Sequence, residues 1–495
     1  MYHINLKKIL KSIGIDAPNL FFRKIISNSK KIQSGDLFIA VKGIEEDGRK
    51  YINQAIQNGS KIILSECFKK KQHGIIEYVN NTPIIYIKKL KNHLSFLSGK
   101  IYQNPSSKLK LIGITGTNGK TSTSHFIAQL VQKIGEISAV MGSIGNGILN
   151  DIKPSINTTS SAIKIQYELQ KFVKKKVSLV AIEVSSHGLV QKRVAALNFE
   201  AIVFTNLTNE HLEYHQTMQN YENAKWLLFS QHKSNYQIIN VDDKTGIKWI
   251  SYFPKACLIS LNNCIPKKWN GFKITVKKIQ YFKFGTLIDF KSSWGQAKIQ
   301  TCLIGKFQIS NLMLAIGTLL TLKYPFEIIK KCCKFIKPIS GRMELFYSKE
   351  NPTIIVDYAH NPIALKNALI TSRLYCEGKL WCIFGCGGER DKKKRMIMGN
   401  IAEIYSDIVI LTNDNPRNED PQIIINDILK GFFYKHRVIL IFDRLKAIIY
   451  SIKYAKKNDV ILIAGKGDEN YQIVNNNKLL HSDREIVNNI LRSNT

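Results

Sequence analysis

Gly113-Ile114-Thr115-Gly116-Thr117-Asn118-Gly119-Lys120-Thr121 decides how this chain is read. The apolar run Leu109 to Ile114 enters it as a buried strand. Lys120 to Ile134 leaves it with Phe126, Ile127, Leu130, Val131 and Ile134 at helical spacing. Glycines 113, 116 and 119 let the backbone wrap tightly and aim its N–H groups at an anion, and the helix that starts there adds the positive end of its dipole. Lys120 can reach the outer phosphates of a nucleotide, and the Thr121 hydroxyl can ligate Mg²⁺. The stretch reads as a nucleoside triphosphate site, so the chain reads as an enzyme. The strict P-loop pattern has a glycine where Ile114 stands, which separates this loop from that of a typical GTPase or kinase.

A length of 495 residues suggests about three domains of roughly 150 each. The 44% apolar content is enough for several cores. No run approaches the roughly 18 to 20 apolar residues of a membrane span. Met1 to Asp16 carries lysines but no apolar core followed by small residues, so a signal peptide is not expected. Nine scattered cysteines, without zinc-ribbon spacing, read as reduced thiols in a cytoplasmic protein. The net charge of +35 invites a nucleic-acid partner, but the lysines are spread along the whole chain among abundant Ile and Asn. That is a compositional bias rather than a binding groove, and neither nucleic acid nor membrane is expected as a partner.

The fold class read from the pattern is α/β. Residues 1–105 alternate short strands (Asp36 to Val41, Lys61 to Ser65, Thr82 to Ile87) with helices and end at Pro105-Ser106-Ser107. Residues 106–338 carry strands Leu109 to Ile114, Val177 to Val184, Ala201 to Asn206 and Tyr236 to Val241, implying a mostly parallel sheet. A strand-rich stretch over 255–300 and a helix Ile309 to Leu322 follow. Residues 339–495 repeat a βα pattern with strands Thr353 to Asp357, Lys379 to Phe384, Asp407 to Leu411, Val438 to Phe442 and Asp459 to Ala464, a Rossmann-like sheet. It lacks Gly-x-Gly-x-x-Gly after its first strand, so no dinucleotide is expected. Ligands in such sheets bind beyond the carboxyl ends of the strands.

Glu183 closes an apolar strand of the central segment, where a carboxylate beside a phosphate loop suits Mg²⁺, directly or through water. His211 and His215 stand four apart and would face one ligand on a helix. Lys225 interrupts the apolar run Ala224-Lys225-Trp226-Leu227-Leu228-Phe229. Read alone, the histidines are capping or surface residues and Lys225 lies on a helix's polar stripe. In the third segment, Arg390 and Arg417 can each grip a carboxylate bidentately, and Asp414 and Glu469 can receive an ammonium. Opposite charges on one sheet edge suit a zwitterionic amino acid.

In order and spacing these motifs resemble the Mur ligases over essentially the full chain. The matching blocks are Ser34-Gly35-Asp36-Leu37-Phe38-Ile39-Ala40, the Thr115 to Thr121 loop, Asn157-Thr158-Thr159, Glu183-Val184-Ser185-Ser186-His187-Gly188-Leu189, His211 to His215, Ala224-Lys225-Trp226, Gly341-Arg342-Met343-Glu344 and Asp357-Tyr358-Ala359-His360. The resemblance implies three domains: an N-terminal α/β UDP-binding domain (1–105), a central P-loop-like ATPase domain (106–338) and a C-terminal Rossmann-like amino-acid domain (339–495). It implies ATP-dependent amide formation for peptidoglycan precursors, with a cytoplasmic monomer expected.

By the same resemblance, Gly116, Thr117, Asn118, Gly119, Lys120, Thr121, Ser122, Asn311, Arg342 and Asp357 match ATP-binding positions. Ser27, Ser29, Ile44, Glu45, Glu46, Asn157, Thr158, Thr159, Ser185, Gln191 and Arg193 match positions that hold UDP-N-acetylmuramoyl-dipeptide. Thr121, Glu183, His211 and Lys225 match the surroundings of Mg²⁺, with Lys225 as an N-carbamate. Lys120, Lys225, Glu183 and His211 match catalytic positions. Arg390, Asp414, Asn415, Pro416, Arg417, Gly465 and Glu469 match the site for meso-diaminopimelate. Asp414-Asn415-Pro416-Arg417 is the form seen in diaminopimelate-adding members, where the arginine clamps the distal carboxylate that lysine lacks. The chain departs from the family pattern at Asn209-Glu210 (usually Arg-Asp), Glu213 (Asp), Asp468 (His), Ser122 (Thr) and Lys30 (Arg). Lysine-adding and folylpolyglutamate-type ligases, a basic NTP-dependent nucleic-acid-binding protein and a UDP-sugar-binding remnant remain as alternatives. The N-terminal UDP-type domain argues against folate, and intact Lys120, Glu183 and Lys225 argue against the remnant.

Overall fold

The structure, a computed structural model, describes residues 4–43, 46–282, 285–348, 350–475 and 477–493. The chain divides into two compact units. One comprises Met1–Gly113, Ile137–Glu200 and Ala224–Asn235; the other comprises Ile114–Glu136, Ala201–Asn223 and Tyr236–Thr495. Among the described residues, no helix is long and apolar enough to cross a membrane.

In the first unit, a five-stranded sheet runs in the order Ile25–Ile26, Leu37–Ala40, Ile62–Cys67, Thr82–Lys88, Ile76–Val79. Only its last pairing is antiparallel. Its strand Leu37–Ala40 is a continuous apolar run because both of its faces are covered. Leu37, Ile39, Ile62 and Leu64 point into one core, and Phe38, Ala40 and Ile63 into the other. The helix Leu90–Ile101 ties this sheet to the helix Ala162–Lys174: Gln166 donates to the Ser95 carbonyl (3.3 Å), and the Tyr102 and Tyr167 rings meet edge-on at 5.8 Å. The strand Leu179–Glu183 pairs in parallel with Ser138–Met141, and a hairpin (Asn146–Ile148, Asp151–Lys153) follows antiparallel.

The second unit contains the phosphate-loop helix Lys120–Lys133 packed on the largely buried helix Lys306–Thr321. That second helix begins earlier than its periodicity predicts, because Gly305, at φ 87°, turns the chain just before Lys306. The stretch over 255–300 is resolved as Cys257–Ser260 and Lys273–Phe282 in parallel, then Gly285–Ser292 and Gly295–Thr301 as an antiparallel meander.

The C-terminal sheet runs Glu344–Phe346, Thr353–Asp357, Val460–Ala464, Leu380–Phe384, Ile408–Leu411, Val438–Leu440, parallel after the first pair. Alternate residues again feed two cores: Ile355, Leu462, Cys382 and Leu411 on one face, Val356, Ile463, Ile383 and Ile410 on the other. Asp357 is opposite Ala464 and Phe384 is opposite Leu411, so the loops that follow all leave one edge.

Candidate functional site

The phosphate loop owes its shape to the segment after Phe204. A Cβ at Gly116 would collide with the Thr205 side chain, and one at Gly119 with the Asn311 amide. The two glycines lie at φ 147° and 87°. Thr117 N–H donates to Asn206 O (2.8 Å), Asn118 N–H to the Asn206 side chain (2.9 Å), and the Thr205 hydroxyl to Asn118 O (2.7 Å). Lys120 folds over the loop and donates to Gly116 O (2.9 Å) and Thr117 O (2.8 Å). Among the described residues no side-chain cap bond closes the helix that begins at Lys120, whose N-cap is Gly119, so its positive end can face a ligand.

Next to this loop lies a cavity of about 440 Å³. Asn118, Gly119, Thr121, Ser122, Asn311, Arg342 and Asp357 all line it, so residues from three distant stretches of sequence share one wall. Gly116, Thr117 and Lys120 shape the loop behind. Asp357 accepts the Met343 N–H (2.7 Å) and the Ala359 N–H (2.9 Å). Burial pushes its carboxyl up to about 6, against the pull of Arg342 and these donors. The Arg342 guanidinium lies over the Tyr358 ring, 3.9 Å from its centre.

His360 also lines the cavity. Its Nε2 is 2.8 Å from Glu210 and its Nδ1 2.8 Å from the Tyr358 carbonyl, so both ring nitrogens face acceptors. Burial works to raise the Glu210 carboxyl, but its hydrogen bond with His360 holds it well below the usual carboxylate range. Asn361 donates to the Asn118 side chain (3.2 Å). Sequence reasoning assigned no role to Asn206, Thr208, Glu210 or Asn361; the departure at Glu210 and the intact block ending at His360 were the available signals.

In the first unit, Glu183 is buried at its strand end, held by the Ser143 N–H (2.9 Å) and hydroxyl (3.3 Å). The Ser143 hydroxyl also meets Thr158 (3.0 Å). The Thr159 hydroxyl donates to Glu183 O (2.9 Å) and accepts the Ser185 N–H (2.9 Å), while Arg193 is held by Gln191 and donates to Thr159 O. Thr158, Thr159, Ser185, Gln191 and Arg193 thus form one network around Glu183, with Asn157 exposed beside it. Ser143 is a member of this network that no motif announced. Lys225 is fully buried on the helix Met218–Ser230. Ser29 is buried and bonds Gln54 (2.6 Å), whereas Ser27 and Glu46 are exposed. Ile44 and Glu45 lie outside the described residues.

Thr121 and His211 belong to the second unit. His211 and His215 do not share a helix face. His211, at φ 57°, precedes the single turn Leu212–His215, is exposed and pairs with Glu213 (3.5 Å); His215 is buried against Tyr221. The left-handed residue breaks the helical period on which a shared face depends.

The loops after Phe384, Leu411 and Ala464 converge. Glu469 accepts Asn415 (2.9 Å) and Lys466 (2.8 Å), and the buried Lys466 also reaches Asn415 (3.1 Å). Arg417 donates to Gly388 O (2.8 Å) and Asn415 O (3.3 Å). Burial and the charge of Arg390 weaken the hold of Arg417 on its proton, so two guanidiniums share this corner. A Cβ at Gly465 would lie 2.6 Å from the Asp414 carboxylate. Beneath the loops, the fully buried Arg395 grips Glu419 with two bonds of 2.7 Å, and also bonds Asp427 (3.1 Å).

Three family models match the chain: the Mur ligase family catalytic domain over residues 22–98, the Mur ligase middle domain over 114–319, and the Mur ligase glutamate ligase domain over 341–467. A solved UDP-N-acetylmuramoyl-L-alanyl-D-glutamate–2,6-diaminopimelate ligase is 30% identical, covers 100% of this chain and 99% of its own, and superposes with a TM-score of 0.69. Two more distant structures share the fold. UDP-N-acetylmuramoylalanyl-D-glutamyl-2,6-diaminopimelate–D-alanyl-D-alanyl ligase from Acinetobacter baumannii has 14% identity, 94% and 96% coverage and a TM-score of 0.66. A folylpolyglutamate synthase from Mycobacterium tuberculosis has 16% identity, 76% and 92% coverage and a TM-score of 0.62. The chain belongs to the Mur ligase family, the three-domain α/β ligases of peptidoglycan synthesis that use ATP to join an acid to an amino acid.

Proposed function

We propose that the chain adds meso-2,6-diaminopimelate to the D-glutamyl γ-carboxylate of UDP-N-acetylmuramoyl-L-alanyl-D-glutamate. The observation that carries this is the corner made by Arg417 and Arg390 above Glu469 and Asp414. Two neighbouring guanidiniums, one half-buried, call for an anion. Diaminopimelate has a carboxylate at the end of its side chain, and lysine does not.

The γ-carboxylate oxygen attacks the γ-phosphorus of ATP; the bond from that phosphorus to the bridging oxygen breaks and ADP leaves. Lys120 and the loop N–H groups of Gly116 to Ser122 stabilise the charge that spreads over the phosphoryl oxygens. The amine of diaminopimelate then attacks the acyl carbon of the acyl phosphate and gives up a proton. The tetrahedral intermediate expels phosphate and leaves the amide. The hydroxyl of Thr121 is a hard oxygen donor of the kind Mg²⁺ takes, and so is the carboxylate of Glu183; the family pattern gives both to Mg²⁺, which would supply positive charge against the phosphates. The family pattern adds His211 to the metal's surroundings. Lys225 is fully buried, and conversion to a carbamate would turn it into an oxygen donor. N-terminal residues Ser27, Ser29 and Glu46 would take the UDP end.

The test is phosphate release from ATP with the sugar dipeptide, adding meso-diaminopimelate or L-lysine in turn. Release that needs both the dipeptide and diaminopimelate is expected. Release with lysine instead overturns the specificity, and release with neither overturns the substrate assignment.

A further inference from the structure

Asp468 stands where the family pattern has histidine, and no step above uses it. The loop that carries it, Gly465 to Glu469, doubles back on Gly341. Gly341 lies at φ 64°, and a Cβ there would collide with the backbone of Gly467 and Asp468. Residues 341–342 and 467–468 are therefore packed backbone to backbone. From this contact Arg342 sends its guanidinium over Tyr358, along the wall of the nucleotide cavity.

Asp468 Oδ1 lies 3.7 Å from Arg342 Nη2, close enough for an ion pair and too far for a hydrogen bond. Among the described residues, Arg342 Nε and Asp468 Oδ1 are both buried without a hydrogen-bond partner. A buried guanidinium nitrogen and a buried carboxylate oxygen, each without a hydrogen-bond partner, carry a cost that a ligand can relieve. Asp357 and Arg484 add their charges from the neighbouring elements, and Arg484 is already held by Glu344. Arg342 thus faces the charge of two carboxylates, Asp468 and Asp357.

We infer that Asp468 is a positioning residue for the nucleotide: it holds Arg342 over the cavity, and their pairing tightens when nucleotide is bound. This rests on reading the cavity as the ATP site. An imidazole at position 468 would not supply a fixed negative charge, so the device belongs to this chain's own sequence.

The test is ADP binding to the full-length protein by titration calorimetry, for wild type, D468N, D468H, D468E, R342M and R342M/D468N. D468N and D468H should each weaken ADP about 10-fold, and D468E should stay within about threefold of wild type. In the R342M background D468N should add nothing. The same factor in both backgrounds, wild-type affinity for D468N or D468H, or a D468E as weak as D468N would overturn the inference. In turnover, D468N should raise KM for ATP and leave kcat within about threefold, which a general structural defect would not do. Wild-type protein that binds no ADP would sink the reading of the cavity and this inference together. ADP binding with a non-additive cycle but no turnover on the sugar dipeptide would remove the substrate assignment and keep the Arg342–Asp468 pair.

Discussion

The cavity beside the phosphate loop and the corner of charged loops after Phe384, Leu411 and Ala464 lie at strand ends of the same unit, but their polar groups are spent differently. Around the cavity the loop is braced from behind, by Asn206, Thr205 and Asn311, and about 440 Å³ is left open in front. In the corner the groups bind one another: Lys466 and Asn415 hold Glu469, and Arg417 holds two carbonyls. A preformed site gives its ligand fixed donors. A self-satisfied one makes the ligand exchange bonds, so a ligand that lacks one anion fails to replace what it breaks. The first arrangement favours rate and the second favours selectivity.

The largest expected effect tests the preformed half. Lys120→Ala removes the donor that bends over the loop and should cost about 10²- to 10³-fold in kcat, read as initial phosphate release. A loss confined to KM would mean that Lys120 only binds ATP. The next test asks what holds the closed half together. Arg395 is fully buried with Glu419 and Asp427 around it. Arg395→Met strands these carboxylates and should cost about 3 kcal/mol in denaturant unfolding of the C-terminal segment. Arg395 holds the Glu419 carboxyl down to about 2. Glu419 therefore contributes stability that is present above its ordinary value and lost as pH falls towards 2, and the variant should lack this acid limb. An unchanged midpoint would place the rigidity of the corner in the Lys466–Glu469–Asn415 triad instead.

How much of this was legible in the sequence depends on whether the information was local. The strand–glycine–helix pattern at 109–134 and the loops after Asp357, Phe384, Leu411 and Ala464 are contiguous, and a continuous apolar run that ends in polar or glycine residues marks each. The brace is not local. Thr117 meets Thr208 across 91 positions, and Asn118 meets Asn361 across 243. Ser143 reaches Glu183 from 40 positions upstream, from a segment with no motif of its own. The hairpin Tyr471–Val474 and Asn477–Leu480 escaped notice because neither strand has a buried face to impose alternation. The i, i+4 spacing of His211 and His215 suggested a shared face, and one left-handed residue removed it.

Arg417→Met goes to the selectivity of the closed half. Methionine keeps most of the length and apolar stem and removes the anion grip. The variant should raise KM for meso-diaminopimelate about 10²-fold and change that for L-lysine little, so the ratio of the two kcat/KM values collapses. Equal losses for both amino acids would mean that Arg417 shapes the loop through Gly388 and Asn415 and reads nothing.

The smallest effect returns to the open half and to Asp357. Its carboxyl is pushed up to about 6 by burial, from an ordinary value of 3.8. A carboxyl whose folded value lies above its unfolded one binds protons preferentially in the folded state. Its contribution to stability is therefore fully present below about pH 4 and is lost as pH rises through about 6. The ionised form, however, is the one that takes the two N–H donors and faces Arg342. KM for ATP should then rise a few-fold as pH falls through about 6, in the direction opposite to this group's share of stability. Asp357→Asn keeps the shape, cannot ionise, and should flatten both trends between pH 5 and about 7 while starting from a weaker ATP affinity. If wild type and variant follow the same ATP profile, the titrating group lies elsewhere on the cavity wall, with the His360–Glu210 pair the next to be tested.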